Sequence, residues 1–327
     1  MKLGRNQIYD VVIVGGGPAG LSAALTLGRA RKRVLLCDAG PRRNAAAVHV
    51  QNFVTRDGIT PVEFRRIGRQ QLEPYSNVEV RDVGVREITG ESGSFRVRLD
   101  GGGDGGGDRD ADTVVMAYRI LLCTGMIDEP PAIEGMRELW GTSIFQCPYC
   151  HGWEVQDQRF AYLAENAEML QQFGVFLRGW TSDVVVLTAG AFEVSPEVRA
   201  NVVKSGVRIE ERRIARLIAR GDSGEDRHRL AGIELADGEV VERDALFIHP
   251  AQRQVDVVRA LGVALDDKGY VRVDEMTRET SVPGVYAAGD LTTSAQSAIL
   301  GAAAGMRAAA MVNHALTLEM AAAGALA

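Results

Sequence analysis

Two cysteines three positions apart carry the clearest chemistry in this sequence. They bracket a C-P-Y-C segment, Cys147 to Cys150, near a predicted helix start, where a thiol pKa is lowered and the pair can alternate between dithiol and disulfide. The alternative is half of a zinc site, which would need two more Cys or His ligands at matching spacing. Cys37 and Cys123 stand singly in apolar runs. Redox chemistry is therefore the preferred interpretation, and no metal is expected.

Two polar side chains follow the pair within about one helical turn, His151 and Glu154. An imidazole and a carboxylate so close to a reactive thiol can act as general base and proton shuttle for substrate thiols. The other interpretation is a polar helix start in which Glu154 favours the helix dipole. We predict catalytic roles for both, together with the two cysteines, and leave open which of the two is the base.

A glycine-rich turn near the N-terminus has the form that binds a dinucleotide. The β-branched run from Ile8 to Val14 predicts a strand, and helical spacing resumes at Leu21. Only glycine in such a turn lets backbone N–H groups and a helix N-terminus approach a pyrophosphate closely. Asp38 ends the next apolar run 18 residues after the turn, near the ~20 expected for a ribose-binding carboxylate. The cofactor-binding residues that this pattern predicts are Gly15, Gly17, Pro18, Ala19, Gly20 and Asp38.

The remaining patterns predict an α/β protein in which one domain interrupts another. Alternating residues from Val78 to Val115 predict hairpin-linked strands in a small antiparallel layer, with a flexible loop at Gly101–Asp108. Proline and glycine after residue 125 mark a boundary. Further strands are predicted at 119–125, 160–163, 184–187, 246–248 and 285–290, and a last helix at 298–311. We therefore predict a first domain at 1–125 and 248–327 and an inserted domain at 126–247.

Composition and charge exclude several classes of protein. The chain has 327 residues, 46% apolar and 24% charged, which fits two ordinary globular domains. Its net charge of −6 and the lack of a basic block argue against nucleic acid as a partner. Polar residues interrupt the Ala-rich C-terminal segment before it reaches the length of a membrane span, and no signal peptide is evident. We expect a cytoplasmic protein without a membrane partner.

Together these motifs resemble the low-molecular-weight, thioredoxin-reductase-like flavoproteins over nearly the whole chain. The matching segments are G-G-G-P-A-G at 15–20, Q-N-F around Asn52, C-T-G at 123–125, C-P-Y-C, A-A-G-D at 287–290 and A-Q-S-A at 295–298. The resemblance implies two Rossmann-like, three-layer ββα domains, FAD in the first domain, and a homodimer. It implies Asn52 near the flavin ring and Asp290 on the ribityl chain. Further cofactor-binding residues implied are Gly125, Gly289, Gln296, Ser297 and Ala298, the last three at the pyrimidine end of the flavin.

The second nucleotide-binding turn departs from that family. Thioredoxin reductases have G-G-G-D-S-A at this turn and a basic H-R-R after the next strand, whereas this chain has A-E-N-A-E-M at 164–169 and T-A-G at 188–190. Glu165 and Glu168 would put carboxylates near a pyrophosphate, and Met169 would block its close approach. The basic clamp for a 2′-phosphate is missing as well. The sequence predicts that NADPH is not the electron partner.

The segment C-P-Y-C-H-G-W-E, 147–154, is similar to the C-x-x-C-H-G-[YW]-E pattern of the flavin-dependent dithiol oxidases that close disulfides in gliotoxin, holomycin and romidepsin, most of all the romidepsin type. This implies a small-molecule dithiol substrate exchanging with Cys147, Cys150 facing the flavin, oxygen as acceptor and hydrogen peroxide as product. Three alternatives stay open: an NADPH-dependent thioredoxin reductase, a ferredoxin-dependent reductase, and a non-enzymatic zinc- or flavin-binding module. No spacing indicates a role for His249, Trp140, Trp153 or Trp180.

Overall fold

The computed structural model describes residues 8–40, 43–100, 113–224 and 226–324, and these form two compact units. The first unit contains the described residues up to 43, residues 60–127 and the chain from 252 onward; the second contains 44–59 and 128–251. The segment 44–59 falls inside the first domain of the predicted division, but its contacts group it with the second unit. The loop predicted at Gly101–Asp108 lies outside the described residues.

Strands and helices alternate through much of the chain. The strands are β1 (Ile8–Val14), β2 (Val34–Cys37), β3 (Val78–Arg81), β4 (Val85–Thr89), β5 (Phe95–Leu99), β6 (Thr113–Leu122), β7 (Ile127–Glu129), β8 (Ile144–Phe145), β9 (Phe160–Leu163), β10 (Val184–Leu187), β11 (Val207–Glu210), β12 (Ile214–Ala219), β13 (Leu230–Leu235), β14 (Val240–Glu242), β15 (Ala245–Ile248), β16 (Ala251–Arg253) and β17 (Val285–Ala287). The α-helices are α1 (Pro18–Arg29), α2 (Pro61–Gln70), α3 (Met136–Leu139), α4 (Pro148–His151), α5 (Ala167–Phe176), α6 (Pro196–Lys204), α7 (Asp256–Ala260) and α8 (Ala298–Ala322).

The first unit is built on a seven-stranded sheet of order β3-β2-β1-β6-β5-β4, with β17 beside the C-terminal half of β6. Strand β6 pairs in parallel with β1 and β17 and antiparallel with β5. The predicted antiparallel layer is confirmed for β4, β5 and β6 and wrong for β3, which pairs in parallel with β2. Alternation along a strand reports one wet face and does not specify the neighbouring strand.

The two faces of this sheet carry separate hydrophobic cores. Along β1, Val12 and Val14 point to one core and Val11 and Ile13 to the other, which α1 and α8 cover. Helix α8 runs on to Ala322, past the predicted end at 311, because polar residues along it interrupt its apolar character but do not break a helix.

The second unit has three layers. Its five-stranded parallel sheet has the order β11-β10-β9-β15-β8. Phe160 and Tyr162 of β9 pack with residues of α5 and α6 on one face, and Ala161 packs with residues of the antiparallel β12-β13-β14 sheet on the other. This is the predicted ββα arrangement, which is confirmed. Among the described helices, none combines the length and apolar character that crossing a bilayer requires.

Candidate active site

The two cysteines lie on a single short helical turn of the second unit. Cys147 precedes the four-residue helix α4 as its N-cap, and Pro148 supplies the first helical position. The backbone N–H groups of Cys150 and His151 donate to the Cys147 carbonyl oxygen at 3.1 and 3.2 Å. Proline favours this position because its fixed φ suits a helix start. The turn holds both thiols and the imidazole within one local structure, as the spacing predicted.

Hydrogen bonds activate the Cys147 sulfur. The Cys150 side chain donates to it and lowers its pKa from 9.0 to about 6; burial opposes this shift, while the backbone N–H groups of Cys150 and Tyr149 reinforce it. Cys147 is therefore a thiolate at neutral pH in the dithiol state, which makes it a good leaving group in thiol–disulfide exchange. Burial instead raises the pKa of Cys37, to about 12, and that of Cys123. These two thiols are inert by comparison.

His151 occupies a dry position beside the pair. Its ring stacks on Phe145, and neither ring nitrogen has a hydrogen-bond partner among the described residues, although both are buried. Burial lowers the pKa of the imidazole to about 4. The ring is therefore neutral at pH 7 and can accept a proton. Two buried ring nitrogens without partners are unusual in a folded protein, which indicates that a bound group satisfies them.

The segment that contains Asn52 contacts the redox turn. The Asn52 side-chain amide donates to the Tyr149 carbonyl oxygen within α4, and Gln51 Nε2 donates to Glu154 Oε1 at 2.8 Å. Asn52 and Glu154 are both exposed. The structure thus brings Asn52, expected at the flavin ring, against the cysteine turn. Sequence reasoning missed Gln51 as a partner of Glu154, since the contact joins segments about a hundred residues apart.

Exposed aromatic rings adjoin the two cysteines. Tyr149 lies between them in the chain and is 65% exposed, and Trp153 is 73% exposed. The Tyr149 ring contacts Phe176 and Trp180, with centroids 5.6 and 5.5 Å apart. A cavity of about 390 Å³ lies between Trp153 and Trp180. Large exposed aromatic groups of this kind mark binding surfaces more often than free protein surface. Two tryptophans that the sequence left without a role belong to this surface.

The glycine turn of the first unit is shaped for a dinucleotide. A Cβ on Gly15 would lie 2.3 Å from the Cys123 carbonyl oxygen, and one on Gly20 would lie 1.8 Å from the Gly15 carbonyl oxygen. At Gly17 there is open space, and this residue leaves the start of α1 without a side-chain cap or an acidic residue in the first turn. The free N–H groups there and the space above them fit the pyrophosphate of FAD. Pro18 and Ala19 form the first turn of α1, which begins three residues before the predicted helical spacing at Leu21.

Asp38 stands where the ribose-binding carboxylate was predicted, at the end of β2 and close under Gly16. It is buried and paired with two arginines of α2, Arg65 and, at 3.3 Å, Arg69. Buried carboxylates are stable only when they are paired or hydrogen-bonded. The sequence analysis missed both arginines, because nothing in the spacing of α2 indicates that it contacts the end of β2.

The other predicted cofactor residues gather at the carboxyl ends of β6 and β17. Asp290 pairs with Arg43 at 2.9 Å, and its carbonyl oxygen accepts from Gln296 Nε2. Gln296 also exchanges two hydrogen bonds with Gln252. Ser297 caps α8 through a bond from Leu300 N, and Ala298 begins the helix. Gly125 and Gly289 both have positive φ, which glycine adopts without strain.

At the second nucleotide-binding turn, a side chain of this chain binds a backbone N–H group at the helix start. The Asn166 side chain caps α5 by accepting from Met169 N at 2.9 Å, and Glu168 lies in the first turn. An acidic first turn and a filled cap disfavour an anion at this helix start. The turn after β10 contains Thr188, Ala189 and Gly190, with the side chain of Arg213 beside it as a remaining cation.

Aromatic side chains pack together near the point where the strand order of this sheet reverses. The strand order reverses between β9 and β15, and ligands of open α/β sheets bind outside the carboxyl ends of the strands at such a point. There Tyr162 Oη and His249 Nδ1 share a hydrogen bond of 3.2 Å, and the Phe173 ring lies edge-on to His249 at 4.5 Å. Burial raises the pKa of Tyr162 and lowers that of His249. His249 therefore belongs to a packed cluster with Tyr162 and Phe173.

No group of three or more His, Cys, Asp or Glu side chains in the described part of the chain is arranged to hold a metal ion.

Comparisons with known proteins agree with this geometry. Residues 9–309 match the pyridine nucleotide-disulphide oxidoreductase family. An oxidoreductase from Agrobacterium tumefaciens of known structure is 35% identical, with a TM-score of 0.84 over 95% of this chain and 99% of its own. The crystal structure of HlmI is 34% identical, with a TM-score of 0.84 over 97% of this chain and 95% of its own. Thioredoxin reductase sirT of Leptosphaeria maculans is 28% identical over 94% of each chain. The chain therefore belongs to the pyridine nucleotide-disulphide oxidoreductase family and is an FAD-dependent disulfide oxidoreductase of the thioredoxin-reductase type.

Proposed function

We propose that this enzyme is a dithiol oxidase that closes an intramolecular disulfide in a small molecule, with oxygen as the electron acceptor and without NADPH. The observation that carries the proposal is the start of α5, where the Asn166 side chain caps the helix and Glu168 lies in the first turn. The redox cysteines, by contrast, keep both their spacing and the activation of Cys147. Electrons that do not enter from a nicotinamide must enter through the thiols.

The charges at the start of α5 also support entry of electrons through the thiols. Glu165 and Glu168 flank the start of α5, and Asn166 already takes a backbone donor that a phosphate would need. Each of these would weaken binding of a dinucleotide with several negative charges. Arg213 alone does not restore a bidentate clamp of the kind that phosphates prefer.

The exchange chemistry follows from the properties of the two thiols. A substrate thiolate attacks Cys147 of the Cys147–Cys150 disulfide, so that this S–S bond breaks and Cys150 leaves as a thiolate. The second substrate thiolate then attacks the sulfur of the first substrate thiol in the mixed disulfide, and Cys147 leaves with the bonding electron pair. The low pKa of Cys147, about 6, favours that departure. The substrate has lost two electrons and two protons, and the cysteine pair has gained the electrons.

The neutral imidazole of His151 can take one of the released protons, with Glu154 as an exposed alternative. Bound FAD supplies the two-electron acceptor that returns the pair to the disulfide and passes the electrons to oxygen, which leaves as hydrogen peroxide. Gly15, Gly17 and Gly20 with Asp38 would hold the adenosine and pyrophosphate part, and Asp290 with Gln296 the ribityl and pyrimidine part. Gly125, Gly289, Ser297 and Ala298 complete this set as predicted from the resemblance.

The exposed aromatic surface supports a small, partly apolar dithiol as substrate. The Tyr149 ring contacts Trp180, and the cavity lined by Trp153 and Trp180 also contains Asp157 and Arg178. The resemblance of residues 147–154 to the gliotoxin, holomycin and romidepsin enzymes supports the same substrate class, and the romidepsin type remains the most similar pattern. A reducing compartment such as the cytoplasm would keep such a dithiol reduced before it binds.

The proposal includes a homodimer. Leu300, Met306 and Leu318 of α8 are each more than half exposed, which supports a covered surface on that helix. Sedimentation velocity at micromolar concentration tests this part independently of activity, and a single monomeric species would contradict it.

An anaerobic titration of the flavin absorbance band tests the proposed function. We expect a small dithiol such as dithiothreitol to bleach the band, NADPH to leave it unchanged, and air to restore it with one equivalent of hydrogen peroxide. Prompt bleaching by NADPH would make the enzyme a thioredoxin reductase. Bleaching by reduced ferredoxin, with transfer to a protein disulfide, would make it a ferredoxin-dependent reductase. An enzyme that neither dithiol nor NADPH reduces would be a binding module.

A further inference from the structure

The side-chain amide of Asn52 is hydrogen-bonded to the peptide group that joins Tyr149 to Cys150 in the C-P-Y-C turn. Its amide donates to the carbonyl oxygen of Tyr149, which lies directly before Cys150. The same peptide group carries the N–H of Cys150 on its other side. That N–H donates to the Cys147 carbonyl oxygen at 3.1 Å and also helps to lower the pKa of the Cys147 thiol. A single planar amide therefore connects the Asn52 side chain to the residue that carries the reactive sulfur.

Hydrogen bonds in such a chain strengthen one another. When the oxygen of an amide accepts a hydrogen bond, the amide is polarised and its N–H becomes a better donor. The effect is largest where water is excluded, and Cys147 is only partly exposed. We propose that Asn52 is a positioning residue that fixes the Tyr149–Cys150 peptide and strengthens the hydrogen bonding of its N–H to Cys147.

The Asn52 backbone supports this role. Its φ of 59° lies in the left-handed region, and its N–H donates to Asp57 Oδ1 at 2.7 Å. Asparagine tolerates this conformation better than most residues. Asparagine is thus suited both to the turn and to the donation.

The segment is also held on both sides of Asn52. Ala46 packs closely against Gly141: a Cβ added to Gly141 would lie 2.7 Å from the Cβ of Ala46. Val50 and Ile59 form an antiparallel bridge. Gln51 Nε2 donates a hydrogen bond to Glu154, which follows α4 in the chain. A fixed backbone is what lets one side-chain amide keep a constant position relative to another peptide group.

The other groups around Cys147 do not supply a positive charge. Cys150 contributes a thiol hydrogen bond, and His151 is neutral because burial lowers its pKa to about 4. Glu154 on the following turn is acidic and exposed. Stabilisation of the thiolate by this site therefore depends on neutral donors, and their strength is what Asn52 adjusts.

The test measures how fast iodoacetamide alkylates Cys147 across pH in the dithiol form of the holoenzyme, with the modified peptide identified by mass spectrometry. Asn52→Gly keeps the left-handed backbone and removes the donor. Asn52→Asp keeps the shape and places carboxylate oxygens against the Tyr149 carbonyl. Thr55→Gly is the matched control, because Thr55 also has a positive φ, of 74°, and gains the same backbone freedom.

We expect Asn52→Gly to be alkylated about threefold more slowly than the wild type near pH 5 and at the same rate near pH 8.5, as a half-unit rise in a thiol pKa requires. Asn52→Asp should lose more, and Thr55→Gly should match the wild type. Superimposable profiles for Asn52→Gly and the wild type would overturn the proposal. So would an equal shift in Thr55→Gly, because a general loosening of the segment would then explain both.

This inference rests on the Cys147–Cys150 pair of the proposed function, but its assay needs neither a substrate nor oxygen. If NADPH reduced the enzyme and Asn52→Gly still shifted the pH profile of alkylation as expected, the proposed function would be overturned and the role of Asn52 would stand. Flavin absorbance and far-UV circular dichroism of each variant establish that it is folded and loaded. Should Asn52→Asp not fold, Asn52→Gly alone still decides.

Discussion

The imidazole ring of His151 lies nearly parallel to the phenyl ring of Phe145, with centroids 4.5 Å apart and planes inclined by 14°. The stack removes water from one face of the imidazole, and the pKa falls to about 4 because the charged form is poorly solvated there. The residue beside the redox cysteines is thus a neutral ring at pH 7, which does not stabilise a thiolate by charge.

The first prediction concerns stability in mild acid. Below about pH 6.5 the unfolded imidazole binds a proton, whereas the folded one stays neutral down to about pH 4. The unfolded state therefore binds more protons in this window, and the free energy of unfolding falls as pH drops through it, by up to about 3 kcal/mol. Above pH 6.5 this contribution vanishes. His151→Phe should lose this part of the pH dependence in urea unfolding at pH 7 and pH 4.5.

Trp153→Phe is its control, since Trp153 lies two residues from His151, is 73% exposed and carries no titratable group. That variant should follow the wild-type pH dependence. A His151→Phe enzyme that lost stability in acid as steeply as the wild type would show that the imidazole is not buried as described.

The second prediction concerns the thiolate. Cys150→Ala removes the side-chain donor that contributes most to the lowered pKa of Cys147. The thiolate absorbance near 240 nm should then titrate with a midpoint clearly above 6, moving toward the ordinary value of 9.0. Cys37 and Cys123 stay silent between pH 5 and 8, because burial raises their pKa values. An unchanged midpoint would assign the activation to other groups.

The third prediction separates cofactor binding from folding. Gly17 has an ordinary φ of −76° and open space at its Cβ position, so Gly17→Ala should change the unfolding free energy of the apoprotein by no more than about 1 kcal/mol. The added methyl would occupy the space for the pyrophosphate and raise the Kd for FAD at least about tenfold. Gly20→Ala should destabilise the apoprotein itself, since its Cβ would overlap the Gly15 carbonyl oxygen. Fluorescence titration with FAD and urea unfolding distinguish the two effects, and full FAD affinity in Gly17→Ala would contradict this placement of the pyrophosphate.

The fourth prediction concerns the carboxylate at the end of β2. Asp38→Asn removes the buried acid that pairs with Arg65 and Arg69, and we expect a loss of about 2 kcal/mol in unfolding free energy together with weaker FAD binding. Asp82 pairs with the same two arginines but is 67% exposed. Asp82→Asn should therefore cost less than about 1 kcal/mol. Equal effects of the two substitutions would show that burial of Asp38 contributes nothing.

Patterns within short segments predicted most of the secondary structure. The runs at β1, β2, β9 and β10 have the residue bounds that their apolar composition indicated. Their partners were harder to predict, as β3 shows: its alternation suggested a hairpin, yet it pairs in parallel with β2. Side-chain alternation indicates which face of a strand is exposed to solvent. The pairing of a strand depends instead on which segment of the chain lies beside it.

The sequence by itself determined the chemistry. The C-x-x-C spacing on a helix start, the glycine turn between a strand and a helix, and the loss of glycines after β9 are local features, and their physical meaning depends on neighbours within one turn of the chain. The tertiary structure alone decided which distant groups complete them. It brought Asn52 and Gln51 to the redox turn. It also brought Arg65 and Arg69 to Asp38, and Phe173 to His249. These contacts join residues from about 27 to 103 positions apart. Their formation depends on the packing of whole layers, so no spacing in the sequence could indicate them.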